Sequence, residues 1–196
     1  MGAMPVQNPL ALVVLAYLTQ EPMHPYQIGQ LLKERNVGAS VKFRPSSLYM
    51  VVDQLSRDGY IEARDSSRAG RRPERTTYAI TGSGRAELRE RLAALIATPD
   101  EEFPRFRSAL SLLVALPPED VPPLLRKRES SLQEDVDEIR DRLARVRGEG
   151  VERVFLLEHE HRLALCEAEL AYVRRIRDLI ENDPDSLGDF WRDFHR

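Results

Sequence analysis

Between Arg44 and Arg57 the chain reads RPSSLYMVVDQLSR. Wound as a helix at about 100° per residue, this segment divides into two faces. Leu48, Val51, Val52 and Leu55 share one narrow arc, whereas Ser46, Met50, Asp53 and Arg57 lie opposite, flanked by Tyr49 and Gln54. Hydroxyls, an amide, a carboxylate and a guanidinium are groups that hydrogen-bond to phosphates and base edges. In a major groove Arg57 would pair with a guanine edge, Gln54 with adenine and Asp53 with a cytosine amine. Asp53 also has a plainer role open to it, an i, i+4 pair that orients Arg57. Ser46, Ser47 and Tyr49, near the helix N-terminus, suit phosphate, because free backbone amides and the helix dipole favour an anion there. Arg44 at the start of the segment and Met50 on its outward face complete the DNA-binding candidates of this helix. A second basic set, Arg68, Arg71, Arg72 and Arg75, follows within SSRAGRRPER. It would supply phosphate contacts, or one arginine in a narrow minor groove.

Other chemistries are poorly served. EHEH, Glu158 to His161, suggests a metal site, but residues two apart on a helix point in different directions, so His159 and His161 cannot chelate one ion from one face. His161 falls in line with Leu157, Ala164 and Ala168 and reads as an interface histidine. Cys166 is the sole cysteine, which excludes an intrachain disulfide and fits a buried thiol in a reducing interior. The sequence has no phosphate-cradling glycine loop, no nucleophile elbow and no assembled acid–base set, and the front half holds one histidine, His24, at a helix start. The expectation is a protein that is not an enzyme and carries neither cofactor nor metal.

The elements that must position these residues follow from period and punctuation. With 196 residues, 42% hydrophobic and 31% charged, the chain can bury a real core. Its longest apolar run, Leu10 to Leu18, has nine residues against the ~20 a membrane helix needs. MGAMPVQNP lacks a basic region followed by an apolar stretch, so a cytoplasmic protein without a signal peptide is expected. The net charge of −3 is unevenly spread: residues 1–97 carry 13 Lys+Arg against 9 Asp+Glu, and residues 98–196 carry 16 against 23. A mildly basic front and an acidic rear suit a protein whose front alone meets phosphate.

Asn8-Pro9 opens a first helix to about Thr19 that is apolar nearly all round. Pro25 opens a second, with Ile28, Leu31 and Leu32 inward, and a short extended piece, SVKF, precedes the helix at Pro45. After Gly59 the period changes to alternation: YIEARD and RTTYAI form a hairpin around the basic loop. Thr81 caps a fourth helix, about Gly82 to Ala97, with Leu88, Leu92, Leu95 and Ile96 inward. This order predicts a mainly α protein with an N-terminal winged helix-turn-helix (residues 1–97) and a small β-hairpin wing. Residues 98–105 read as a linker, and 106–196 as a C-terminal helical dimerisation domain of long helices.

In that rear part a short helix ends at Pro117-Pro118, and a long one runs from about Glu119 to Arg147. Leu132, Val136, Ile139 and Leu143 make a heptad seam along it. The last helix, about Val151 to Glu181, is apolar in more than one row, which suggests burial against a second chain. Leu132, Val136, Ile139, Leu143, Leu157, His161, Leu165, Ala168, Tyr172 and Ile176 are the candidate homodimer interface. Tyr172 reads as core, with an effector pocket between domains as its other reading; the pattern does not place Phe190, Trp191 and Phe194.

The front half resembles the PadR family of bacterial transcriptional regulators. LALVVLAYLTQEPMHPYQIGQLL matches the family's opening, an apolar helix, a break and an H-G-Y-like triplet. SSLYMVVDQLSRDGYIE is similar to its "gTLYpaLhrLeeeGLIe" signature, and GRRPERTTYAITGSGRAEL to its basic wing and "YxLTxxGxxxL" step. The rear half resembles the longer-tailed subfamily in length and helical pattern. Pro25 stands where the family usually has Gly, and Met50 replaces the usual Pro after Leu-Tyr, which bears on base preference if that face meets DNA. The resemblance implies a dimeric repressor whose third helix enters the major groove of a double-stranded operator and whose wing lies along the backbone, with a small molecule as inducer in many members. The acidic rear also permits a different reading, a helical protein–protein interaction module without DNA binding.

Overall fold

The computed structural model describes residues 8–34, 45–67, 75–99 and 103–196. Two compact units divide the chain, residues 1–101 and 102–196. Arg44, Arg68, Arg71, Arg72 and the extended piece expected at 40–43 lie outside the described residues, as does the side chain of Arg75.

In the front unit α1 (Pro9–Leu18) starts on Asn8, whose side-chain oxygen accepts the Leu10 amide at 3.0 Å. Pro9 occupies a position where a missing N–H costs nothing. Because α1 is apolar on nearly every side, it forms the axis of the core, with Leu10, Val14, Leu15 and Leu18 fully enclosed. α2 (Pro25–Glu34) is capped reciprocally by its own first turn. His24 Nδ1 accepts the Tyr26 amide at 3.0 Å, and Gln27 Oε1 accepts the His24 amide at 2.8 Å. α3 (Pro45–Arg57) buries the four residues of its apolar arc, Leu48, Val51, Val52 and Leu55, against that core.

β1 (Ile61–Ser67) and β2 (Arg75–Ile80) pair antiparallel, with Ile61 opposite Ile80 and Ala63 opposite Tyr78. An extra residue is accommodated between Ala63 and Ser66 as a bulge, which increases the local twist. A third partner joins at Met23, in the connection between α1 and α2. Met23 and Tyr78 exchange both backbone hydrogen bonds, at 3.0 and 2.9 Å.

The step from β2 into α4 (Gly82–Ala97) is densely bonded. Thr81 Oγ1 accepts the Gly84 amide at 3.1 Å and stands 2.8 and 3.0 Å from the Gly59 and Tyr60 carbonyl oxygens; the Ser83 hydroxyl donates to Gly59 at 2.9 Å. Gly59 has φ +75°, a region glycine enters without cost. Gly84 is present for proximity: a Cβ there would lie 2.1 Å from the Tyr60 carbonyl oxygen. Only the first half of α4 joins the core. Leu88 is buried, but Leu92, Leu95 and Ile96 are exposed, contrary to the inward stripe expected for them, because the core ends at Leu88.

The rear unit contains α5 (Arg105–Ser111), α6 (Val121–Gly148), α7 (Leu157–Asn182) and the short α8 (Phe190–Phe194), with 3-10 turns between them. Arg126 pairs with Glu181, Arg177 with Glu129, Arg140 with Glu167 at 2.6 Å, and Arg147 with Glu160 at 2.7 Å. Numbers climb on α6 as they fall on α7, so the two helices are antiparallel. Their shared seam corrects the interface reading. Leu132 and Val136 pack with Leu170, Val173 and Ile180, and Ile139 and Leu143 pack with Leu156, all within one chain. A heptad seam needs a facing helix, not a second molecule. The short turn at Gly150, φ +78°, folds α7 back to supply it.

Candidate nucleic-acid interface

The outward face of α3 is built as its sequence period requires. With Leu48, Val51, Val52 and Leu55 held inward, Ser46, Tyr49, Met50, Asp53, Gln54 and Arg57 are exposed and Ser47 is half-buried. Met50 is 64% exposed, so an apolar side chain stands in solvent at the centre of this polar face. Along the C-terminal half of the face the side chains are already organised. Arg57 Nη2 donates to Gln54 Oε1 at 2.9 Å, and Gln54 Nε2 donates to Asp58 Oδ2 at 2.8 Å. The amide thus orients the guanidinium, the role that the sequence left open to Asp53 as its plainer reading. This hydrogen-bond chain engages one guanidinium nitrogen and both polar atoms of the Gln54 amide, so contact with a purine edge would draw on their remaining donors and lone pairs or exchange these partners.

α2 contributes a surface that the residue pattern had not marked. Tyr26, Gln30 and Lys33 lie at i, i+4 and i+7, opposite the buried Ile28 and Leu32. Together with Tyr49 of α3 they border a groove of about 290 Å³ floored by Pro25, Gly29 and Leu48. Gln30 Nε2 donates to the Tyr26 hydroxyl at 2.6 Å. Two exposed tyrosines, an amide and an ammonium form a rim suited to sugar and phosphate. The spacing was legible, and Lys33 is one of only three lysines in the chain, but attention to α3 alone passes it over.

The wing residues are placed unevenly. Arg75 lies opposite Ser67 at the far end of the hairpin, so the backbone of β1 and β2 leads into the basic segment 68–74. The base of the wing is held by Met23 and by the Thr81 hydroxyl, which couples the hairpin to both helical parts of the unit.

In the rear unit the second candidate surface separates into two groups. Leu157 and Leu165 are 52% and 58% exposed, with His161 and Ala168 exposed beside them on α7. Leu132, Val136, Ile139 and Leu143 are enclosed by their own chain, Ile176 packs on the rear core, and Tyr172 is half-buried with Arg175 5.2 Å from its ring centroid. At the N-terminal end of α7, Glu160 receives Arg153 and Arg147, whose hydrogen bonds hold its carboxyl below the usual carboxylate range. Burial pushes the Cys166 thiol up, with the nearby Asp135 carboxylate adding to the effect, so a neutral thiol sits in the α6–α7 seam. Among the described residues no group of three or more His, Cys, Asp or Glu is arranged to hold a metal ion. No described helix is long and apolar enough to cross a membrane.

Comparison with known proteins finds a family likeness in the front half and a likeness of fold over most of the chain. The sequence model of the transcriptional regulator PadR-like family matches residues 14–90. The Bacillus subtilis PadR structure in complex with operator DNA is similar in fold, with TM-score 0.71 and 17% identity over 87% of this chain and 98% of that one. The same protein in complex with p-coumaric acid gives TM-score 0.73 and 16% identity over 88% and 99%. The Vibrio cholerae virulence activator AphA gives 0.67 and 16% over 88% and 98%. Comparison with curated proteins finds no match.

Proposed function

We propose that the chain, whose residues 14–90 match the model of the transcriptional regulator PadR-like family, is a cytoplasmic, dimeric repressor of an inverted-repeat operator. The observation that carries this reading is the exposed polar face of α3, organised through Arg57, Gln54 and Asp58 and set beside a hairpin that leads into a basic loop. α3 enters the major groove, which is wide enough for an α-helix. Arg57 and Gln54 read bases; Ser46, Ser47 and Tyr49 take phosphate at the helix N-terminus, with Arg44 before them. Arg68, Arg71, Arg72 and Arg75 follow the backbone or the minor groove beside it.

Two copies join through the exposed row of α7, Leu157, His161, Leu165 and Ala168. Leucines this exposed on an otherwise well-packed helix support burial against another apolar surface. Two-fold symmetry then sets two α3 helices one duplex turn apart, about 34–36 Å. A small molecule relieves repression, a reading supported by the fold shared with the Bacillus subtilis PadR structure that holds p-coumaric acid.

The test is a titration of duplexes from upstream of the protein's own gene, read by fluorescence anisotropy. A duplex with an inverted repeat binds in preference to random DNA, and affinity drops steeply between ~50 and ~200 mM salt as counterions are released. Equal affinity for both duplexes at moderate salt would overturn the proposal. A stoichiometric protein partner recovered by a chain with no DNA affinity would replace it with a protein-interaction module.

A further inference from the structure

The outer face of α3 holds one side chain that cannot do the chemistry of those around it. Met50 is 64% exposed and lies roughly 150° around the helix from the middle of the buried arc of Leu48, Val51, Val52 and Leu55. Its neighbours at i−4, i−3, i+3 and i+4 are Ser46, Ser47, Asp53 and Gln54, all polar. One exposed methionine is ordinary on a protein surface, and one surrounded in this way belongs to no apolar patch that another protein would cover. Its place is what sets it apart. Met50 stands in the first half of the helix proposed to enter the groove, where the side chains of a recognition helix meet base edges.

We propose that Met50 reads the C5-methyl group of a thymine and so fixes one T·A pair in each half-site, an inference that rests on the DNA-binding reading given above. The thioether has no hydrogen to donate, and its sulfur is a weak acceptor. Against the amine of cytosine or adenine, or the O6 and N7 of guanine, it displaces water and returns no hydrogen bond. Thymine alone presents a methyl group in the major groove, and a methyl group gains from being covered by another apolar group. Flexibility suits the task. Three rotatable bonds let a methionine settle on a methyl whose position is set by the polar contacts around it. Those contacts belong to other residues: Gln54 and Arg57 lie about one and two turns further along the same face, where their hydrogen-bonding groups serve other base pairs.

The test uses the full-length chain and the inverted-repeat duplex from upstream of its own gene, read by fluorescence anisotropy. Each symmetric pair of thymines is replaced in turn by deoxyuridine, which pairs as thymine does and lacks only the methyl group. Covering one methyl corresponds to about a fourfold change in affinity, so loss of both from an operator weakens binding about fifteenfold. One symmetric pair shows this loss with the wild-type chain. Met50→Ala, at an exposed position where folding is not at stake, reduces the difference between thymine and uracil there to less than twofold. Met50→Leu keeps the difference, because the contact needs apolar surface and not sulfur. Absence of any methyl-sensitive pair, sensitivity undiminished in Met50→Ala, or sensitivity lost in Met50→Leu overturns the inference. Preference of the wild-type chain for this duplex over random DNA, measured alongside, separates the two readings. With that preference intact the regulator stands and only the role of Met50 is lost; without it both fall.

Discussion

α3 and α7 are helices of the same kind up to a point: each buries an inner face in its own unit and leaves an outer face in solvent. The outer face of α3 is polar and internally hydrogen-bonded, from Arg57 through Gln54 to Asp58. The outer face of α7 holds Leu157 and Leu165 in solvent, about two turns apart with His161 midway between them. Burial inside one chain therefore does not exhaust what a helix is built for; the chemistry of the leftover face indicates its partner. A hydrogen-bonding face loses little by waiting in water and gains directional contacts from a groove, whereas an apolar face gains by being covered.

That contrast can be broken at its inner faces first. Leu132→Ala removes a side chain enclosed between α6 and α7, and it should cost about 2–5 kcal/mol in urea unfolding of the rear unit. Leu165→Asp, on the outer face of α7, should leave the unfolding midpoint of the single chain nearly unchanged and raise the dimer dissociation constant at least tenfold in sedimentation equilibrium. Equal stability losses in the two variants would mean that the inner and outer faces have been wrongly divided.

The front unit offers the next largest effect. Gly84→Ala drives a Cβ toward the Tyr60 carbonyl, which belongs to backbone and cannot swing aside. A loss of about 3 kcal/mol is expected, at the upper end for overpacking. If the melting temperature is unchanged, α4 does not approach the hairpin as described.

Arg57→Ala tests the outer face of α3 directly. It should reduce operator affinity roughly tenfold, about 1.4 kcal/mol, and relax base preference at one position of each half-site. Arg72→Ala should instead weaken all sequences alike and lower the salt slope by about one. The opposite pattern would exchange the roles of helix and loop.

The smallest effect lies at Glu160. Its carboxyl is held below 4.5, its ordinary value, mainly by Arg153 and then Arg147. A lowered folded value stabilises the chain above the unfolded value, and the contribution disappears as pH falls through the lowered one. Glu160→Gln should therefore cost a little stability at pH 7 and nothing at a pH where the carboxyl is protonated in both states. A constant difference between variant and wild type across that range would rule out this titration.

Much of this was readable from residue order, for reasons that differ by place. The split of α3 into Leu48, Val51, Val52 and Leu55 against Ser46, Asp53 and Arg57 is legible because a half-buried helix writes its period into the sequence. Thr81 before α4 is legible because few residues cap well. The facing helix of the Leu132–Leu143 seam is not, since the same heptad pattern serves a hairpin within one chain and a pair of chains. Met23 pairing with Tyr78 left no mark, because the bonds are between backbones and any side chain is compatible with them. The bond from the Trp191 indole to the Leu116 carbonyl was equally hidden: nothing local in GDFWRDF records a carbonyl 75 positions away.

The two backbone bonds joining Met23 to Tyr78 carry a practical consequence for chimeras. A wing transplanted from a relative must bring a strand that can pair with the loop between the first two helices, or that loop must travel with it. A hairpin grafted alone keeps both bonds when its second strand arrives in the register of Tyr78, since only backbones are involved, and a shift of one residue would leave two peptide groups stranded.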